Sequence, residues 1–150
     1  MELTKDTLLK IIKNTPLVSI DLIIRDKNAN VLLGLRNNEP AKGNWFVPGG
    51  RIRKDEHIAD AFARISLAEI GMKLELAASK FLGVYEHLYS QNFAHEPDIS
   101  THYIVLAYET TIGSDFKDFP LSQHREVRWW SINELLASAQ VHSYTKNYFR

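Results

Sequence analysis

The chain has 150 residues, 45% of them hydrophobic and 24% charged, with 18 basic and 18 acidic side chains and no formal net charge. This balance argues against nucleic acid or an anionic membrane as the main partner, the lack of cysteine excludes disulfide and thiolate chemistry, and no apolar run reaches membrane-spanning length. A single soluble domain over 1–150 is expected, and a start without a signal-peptide pattern points to the cytoplasm.

In chain order, Thr4 to Asn14 reads as a short amphipathic helix capped by Thr4, with Leu8, Leu9, Ile11 and Ile12 on its apolar side. It is a packing helix, or alternatively a lid or dimer element. Leu17 to Arg25 is β-branched and apolar, Lys27 to Asn30 is a turn, and Val31 to Arg36 returns as a second strand, which predicts a hairpin. Asp21 interrupts the first strand. It is either an outward-facing residue or a functional acid, because a buried carboxylate is costly unless paired. Arg36 ends the second strand, either as a solvated charge or as a planar fork reaching for an anion. Asn37 to Asn44, with Pro40 and Gly43, is a loop. Trp45 to Val47 is a short strand leading into Pro48-Gly49-Gly50. Arg51 and Arg53 point the same way in an extended segment; with Arg36 and Arg64 they would form a basic cluster suited to a diphosphate, were they to converge.

Gly49 to Met72 reads as loop, helix, loop. Two glycines allow a tight turn and close approach of a ligand to bare backbone. Asp55 is the expected N-cap with Glu56 in the first turn. Ile58, Ala61, Phe62 and Ile65 recur at helical spacing, and Gly71 is a C′ stop.

Lys73 to Tyr89 is strand-rich around Phe81 to Tyr85, with His87 near its end. Gln91 to Ser100 is a polar loop, and Thr101 to Thr111 is a long strand on which His102 and Tyr103 take opposite faces. A lone strand histidine or tyrosine is more often packing than catalysis. Ile112 to His124 is a loop ending in Ser122-Gln123-His124, and Arg125 to Trp130 is the last strand. Ser131 and Glu134 predict a capping box for a helix to about Ser138. The tail with His142, Tyr144, Tyr148 and Phe149 is aromatic, and packs either on its own body or on a partner subunit. Strands on both sides of one central helix, with a helix at the end, predict an α+β or α/β/α layering.

From Gly50, five residues precede Glu56, seven more precede Arg64, Glu69 lies five positions on, and Gly71-Met72 follow. This spacing resembles the Nudix box, the signature of hydrolases acting on nucleoside diphosphates linked to another moiety. Ile65 and Ala68 stand where that box has two further glutamates, and Ser66 where it has an aliphatic residue. Positions 65, 68 and 69 share one helix face. Three carboxylates there would gather several Mg²⁺ ions and activate water for attack at phosphorus. With Glu69 alone, fewer metals and no helix-borne base are expected.

The modified box is similar to that of the GDP-mannose mannosyl hydrolases within the Nudix family. So are Thr15 to Asp21, Trp45 to Arg51, Thr101 to Tyr103 and Gln123-His124. The resemblance implies the Nudix fold, an α/β/α sandwich around a mixed β-sheet with the loop-helix-loop, and a homodimer. It implies hydrolysis of GDP-mannose, or GDP-glucose, at the sugar C1–O bond with inversion. One Mg²⁺ would be held by the Gly49 carbonyl, Glu69 and Gln123. His124, an imidazole that is largely neutral near pH 7, would be the general base. Asp21, Arg36 and Arg51 would assist catalysis, and Arg36, Arg51, Arg64, His87 and Tyr103 would contact diphosphate or sugar. Arg64 has the alternative of pairing with Glu56 or Glu69, and Glu56 is read as structural. Two other readings stay open: conventional P–O cleavage, and a non-catalytic nucleotide-sugar-binding domain.

Overall fold

The computed structural model describes residues 2–113 and 124–150, and for 124 and 125 the backbone alone. Helix α1 (Lys5–Asn14) starts where Thr4 accepts a hydrogen bond from the Thr7 amide, as its sequence predicts. The strands are β1 (Leu17–Arg25), β2 (Val31–Arg36), β3 (Trp45–Phe46), β4 (Gly49–Arg51), β5 (Lys80–Tyr89), β6 (Thr101–Thr111) and β7 (His124–Trp130). Helix α2 (Ile58–Ile70) lies between β4 and β5, while α3 (Ile132–Ala137), α4 (Ser143–Lys146) and a closing 3-10 turn (Asn147–Phe149) end the chain.

The sheet is mixed. β1 runs parallel to β6 along its whole length, and β6 pairs antiparallel with β5. The other edge of β1 is divided: Ser19, Ile20 and Asp21 pair with β4, and Arg25 pairs with Val31 of β2. β2 then pairs with β3 and β7. This division sets the two glycines of β4 against the middle of β1.

Alternation along β1 sends its side chains into two cores. Ile20, Leu22 and Ile24 pack with Phe62, Ile65 and Ile70 of α2. Ile23 lies in the other cluster, with Trp45, Trp130 and Leu135 and with Tyr144, Tyr148 and Phe149 against it. The result is an α/β/α arrangement, with α2 on one face and the C-terminal helices on the other. No helix among the described residues is long and apolar enough to cross a membrane.

Four local expectations are corrected. Asp55 does not cap α2. Its φ is 63°, a left-handed turn conformation, and the N-cap is His57. Glu56, predicted in the first turn, precedes the helix and accepts from the Arg53 amide. The capping box at α3 is half made: Ser131 accepts from the Glu134 amide, but the Glu134 carboxylate turns to Arg128. The last strand begins one residue early, at His124, and most of the predicted loop before it lies outside the described residues.

Candidate active site

Several of the predicted residues gather around the paired stretch of β1 and β4. Asp21 and Gly49 are direct partners across these two strands. A side chain on residue 49 would bring its Cβ within 2.6 Å of both Asp21 Oδ1 and the Ile20 carbonyl oxygen, so only glycine permits this approach. From the other side, the Gly49 amide donates to Glu69 Oε1 at 3.3 Å. α2 and β1 thus bring two buried carboxylates to one stretch of bare backbone.

Asp21 is not an outward-facing strand residue; it is 6% exposed. Burial pushes its carboxyl up to about 7, while the Tyr148 hydroxyl and the Arg36 charge hold it down and the Glu69 charge raises it. Tyr148 donates to Asp21 Oδ2 and lies 3.4 Å from His87 Nε2. His87 is buried and stacked flat on Tyr144, with ring centroids 4.3 Å apart. Burial, reinforced by nearby His142, lowers its pKa to about 4, so the ring is neutral at physiological pH. Tyr144 is itself fixed by hydrogen bonds to the backbone of Leu88.

Asp21 and His87 line an inner chamber with Arg36, Arg51 and Tyr103. A second, larger chamber adjoins it and shares Arg36, Gly49, Gly50, Arg51 and Tyr103. Two of the four predicted guanidiniums therefore converge at the wall between the chambers. Arg64 serves the structural alternative: it donates to both oxygens of Glu56 at 2.7 and 2.9 Å and to the Arg51 carbonyl at 2.8 Å. It lines neither chamber. This pairing holds the Glu56 carboxyl down to about 2. Tyr103 faces both chambers, and burial raises its phenol pKa.

The helix face behind Gly50 is apolar. Ile65 is 2% exposed and packs on Gly50, leaving 3.1 Å between its Cγ1 and a Cβ there, while Ala68 is exposed. Among the described residues no three His, Cys, Asp or Glu side chains are grouped to hold a metal ion. A single Mg²⁺ suits the donors that are present. The Gly49 carbonyl and Glu69 offer hard oxygen donors, and such an ion would take the rest of its shell from water and substrate. Gln123, the third expected ligand, lies outside the described residues. For His124 the described part is its backbone, opposite Arg36 in the β2–β7 pairing.

Sequence reasoning placed Tyr144 and Tyr148 in an aromatic tail without assigning them to the site. The available signal was the need of Asp21 for a partner if buried.

Residues 15–149 match the family described as NUDIX domain. The chain is 41% identical over 118 residues to the low-salt glycan biosynthesis protein Agl8 of Haloferax volcanii, covering 79% of this chain and 72% of that one. Among solved structures it is similar to a MutT protein from Methanosarcina mazei (TM-score 0.70, 20% identity, 91% and 92% of the two chains covered). It is also similar to the Nudix domain of Shewanella oneidensis NrtR complexed with ADP ribose (TM-score 0.68, 18% identity, 99% and 97% covered). With the domain match spanning nearly all of its length, and with the box set as loop, helix and loop around Gly49 and Glu69, the chain belongs to the Nudix hydrolase family.

Proposed function

We propose that this Nudix protein hydrolyses GDP-mannose, or a closely related GDP-hexose, to GDP and free sugar by substitution at the anomeric carbon. The observation that carries the reading is the helix face at 65, 68 and 69. It offers a buried isoleucine packed on Gly50, an exposed alanine and one carboxylate, where attack at phosphorus wants a cluster of acids. Substitution at carbon asks for less: a leaving group relieved of charge, and a base on the far side of the sugar.

Arg36 and Arg51, which line the chamber, bind the diphosphate and offset the charge that grows on departing GDP. Mg²⁺, held by the Gly49 carbonyl, Glu69 and Gln123, would supply further charge neutralisation on the same leaving group. Asp21, neutral His87 and Tyr103 line the inner chamber and orient the sugar hydroxyls. His124 takes the proton of the attacking water as its oxygen bonds to C1, and the C1–O bond electrons leave with GDP. The archaeal relative named for glycan biosynthesis supports a substrate among activated sugars, and the ADP ribose of the NrtR complex supports a nucleoside diphosphate sugar in this fold. We also infer a homodimer and a single domain.

Phosphorus NMR of GDP-mannose incubated with Mg²⁺ and the protein tests the reading. GDP as the phosphorylated product supports it. GMP with mannose 1-phosphate, or binding without turnover, overturns it.

A further inference from the structure

The larger chamber differs in chemistry from the inner one. It adds apolar groups to a partly polar lining: Leu8 and Ile12 come from α1 and Phe93 from the loop between β5 and β6, beside Asn38, Glu39 and Thr101. The pair Arg36 and Arg51 lines both chambers. Asp21 and His87 line the inner chamber alone, and Leu8, Ile12 and Phe93 the outer one alone.

The loop carrying Phe93 is firmly built. Asn92 is 1% exposed, and both ends of its side-chain amide are used. Its Nδ2 donates to the Glu96 and Ile99 carbonyls at 2.9 Å each, and its Oδ1 accepts from the Ala94 and Glu96 amides. The Thr101 hydroxyl ties the far end of the loop to the Gln91 carbonyl at 2.6 Å. A surface loop closed on a buried, fully bonded asparagine presents its next side chain in one place.

We propose that this outer chamber is the nucleobase slot, with Phe93 as its aromatic wall, Leu8 and Ile12 as its floor, and Asn92 positioning Phe93. A nucleoside diphosphate sugar has a polar sugar at one end, charge in the middle and a flat base at the other end. The polar inner chamber, the shared arginines and the aromatic group of the outer chamber supply a surface for each part. The inference rests on the proposed reading for which end holds the sugar, but its test does not require turnover.

Calorimetry with GDP and with inorganic pyrophosphate, both in Mg²⁺, tests the slot on the wild type, Phe93→Ala, Leu8→Ala and Phe93→Trp. Loss of base–aromatic stacking raises the Kd for GDP on the order of 10-fold in Phe93→Ala. The Kd for pyrophosphate, which has no base, stays within about 2-fold. Leu8→Ala weakens GDP in the same selective way, and Phe93→Trp keeps it. Unchanged GDP affinity in Phe93→Ala, or equal loss of GDP and pyrophosphate, overturns the slot. Selective loss of GDP in a protein that leaves GDP-mannose intact would keep the slot and remove the catalytic reading. Hydrolysis of GDP-mannose with GDP affinity indifferent to Phe93 would do the reverse.

Discussion

Tyr148 donates its hydroxyl hydrogen to Asp21, joining residues 127 positions apart. The hydrogen bond favours the ionised carboxylate, whereas burial favours the neutral acid. Tyr148→Phe removes the donor and leaves the burial. The Asp21 ionisation then moves from about 7 to higher pH, which a carbon NMR titration of labelled aspartate carboxyls reads directly. A midpoint that stays or falls would mean that Tyr148 does not control this acid.

Asp21 also sets a pH dependence of stability. Its folded pKa of about 7 lies above the ordinary 3.8, so the folded chain holds a proton that the unfolded chain releases between these values. Stability from this group is full at acid pH and falls as pH rises from about 4 through about 7. At about 1.4 kcal/mol per pH unit the loss reaches about 4 kcal/mol at most. Asp21→Asn carries no such charge. In metal-free buffer at pH 8 it should melt at a higher temperature than the wild type, with the gap closing toward pH 4, while losing turnover. A variant less stable at pH 8 would contradict the buried, strained acid.

His87 behaves oppositely. Its folded pKa of about 4 is below the ordinary 6.5, so its contribution to stability is present above about 6.5 and is lost as pH falls toward 4. Nitrogen NMR of the ring should stay flat as neutral imidazole from pH 5.5 to 8. A midpoint inside that window would mean that the ring is solvated and not stacked under Tyr144.

The two replaced box positions should respond differently to restoring a carboxylate. Ile65 is core, and Ile65→Glu buries a charge beside Gly50, so denaturant titration should show a loss of about 3 kcal/mol or more. Ala68 is exposed, and Ala68→Glu should stay within about 0.5 kcal/mol of the wild type. Similar stabilities for both would mean that the helix face is free to accept an acid cluster.

Much of the fold was legible because local rules agree with the tertiary arrangement. β1, β2 and β6 start and end where apolar alternation and turn residues place them, and Thr4 begins α1. The start of α2 was misread because Asp55, a good cap in isolation, sits in a left-handed turn, while Arg64 and the Arg53 amide hold Glu56 outside the helix. In the candidate site, Glu69 could be read from the spacing of the box, while Gly49, Arg36 and Arg51 came from the family resemblance. The roles of Tyr144 and Tyr148 could not be read. Their contacts to His87 and Asp21 join the last helices to β1 and β5 across the body of the protein, and no local pattern encodes such a separation.

The site's central feature is a helix that supplies one acid where phosphorus chemistry wants several, and the position of bond cleavage tests it most directly. GDP-mannose turned over with Mg²⁺ in ¹⁸O-water should place the label in mannose, with unlabelled GDP, by mass spectrometry. Label in a phosphoryl product would show attack at phosphorus and contradict substitution at carbon.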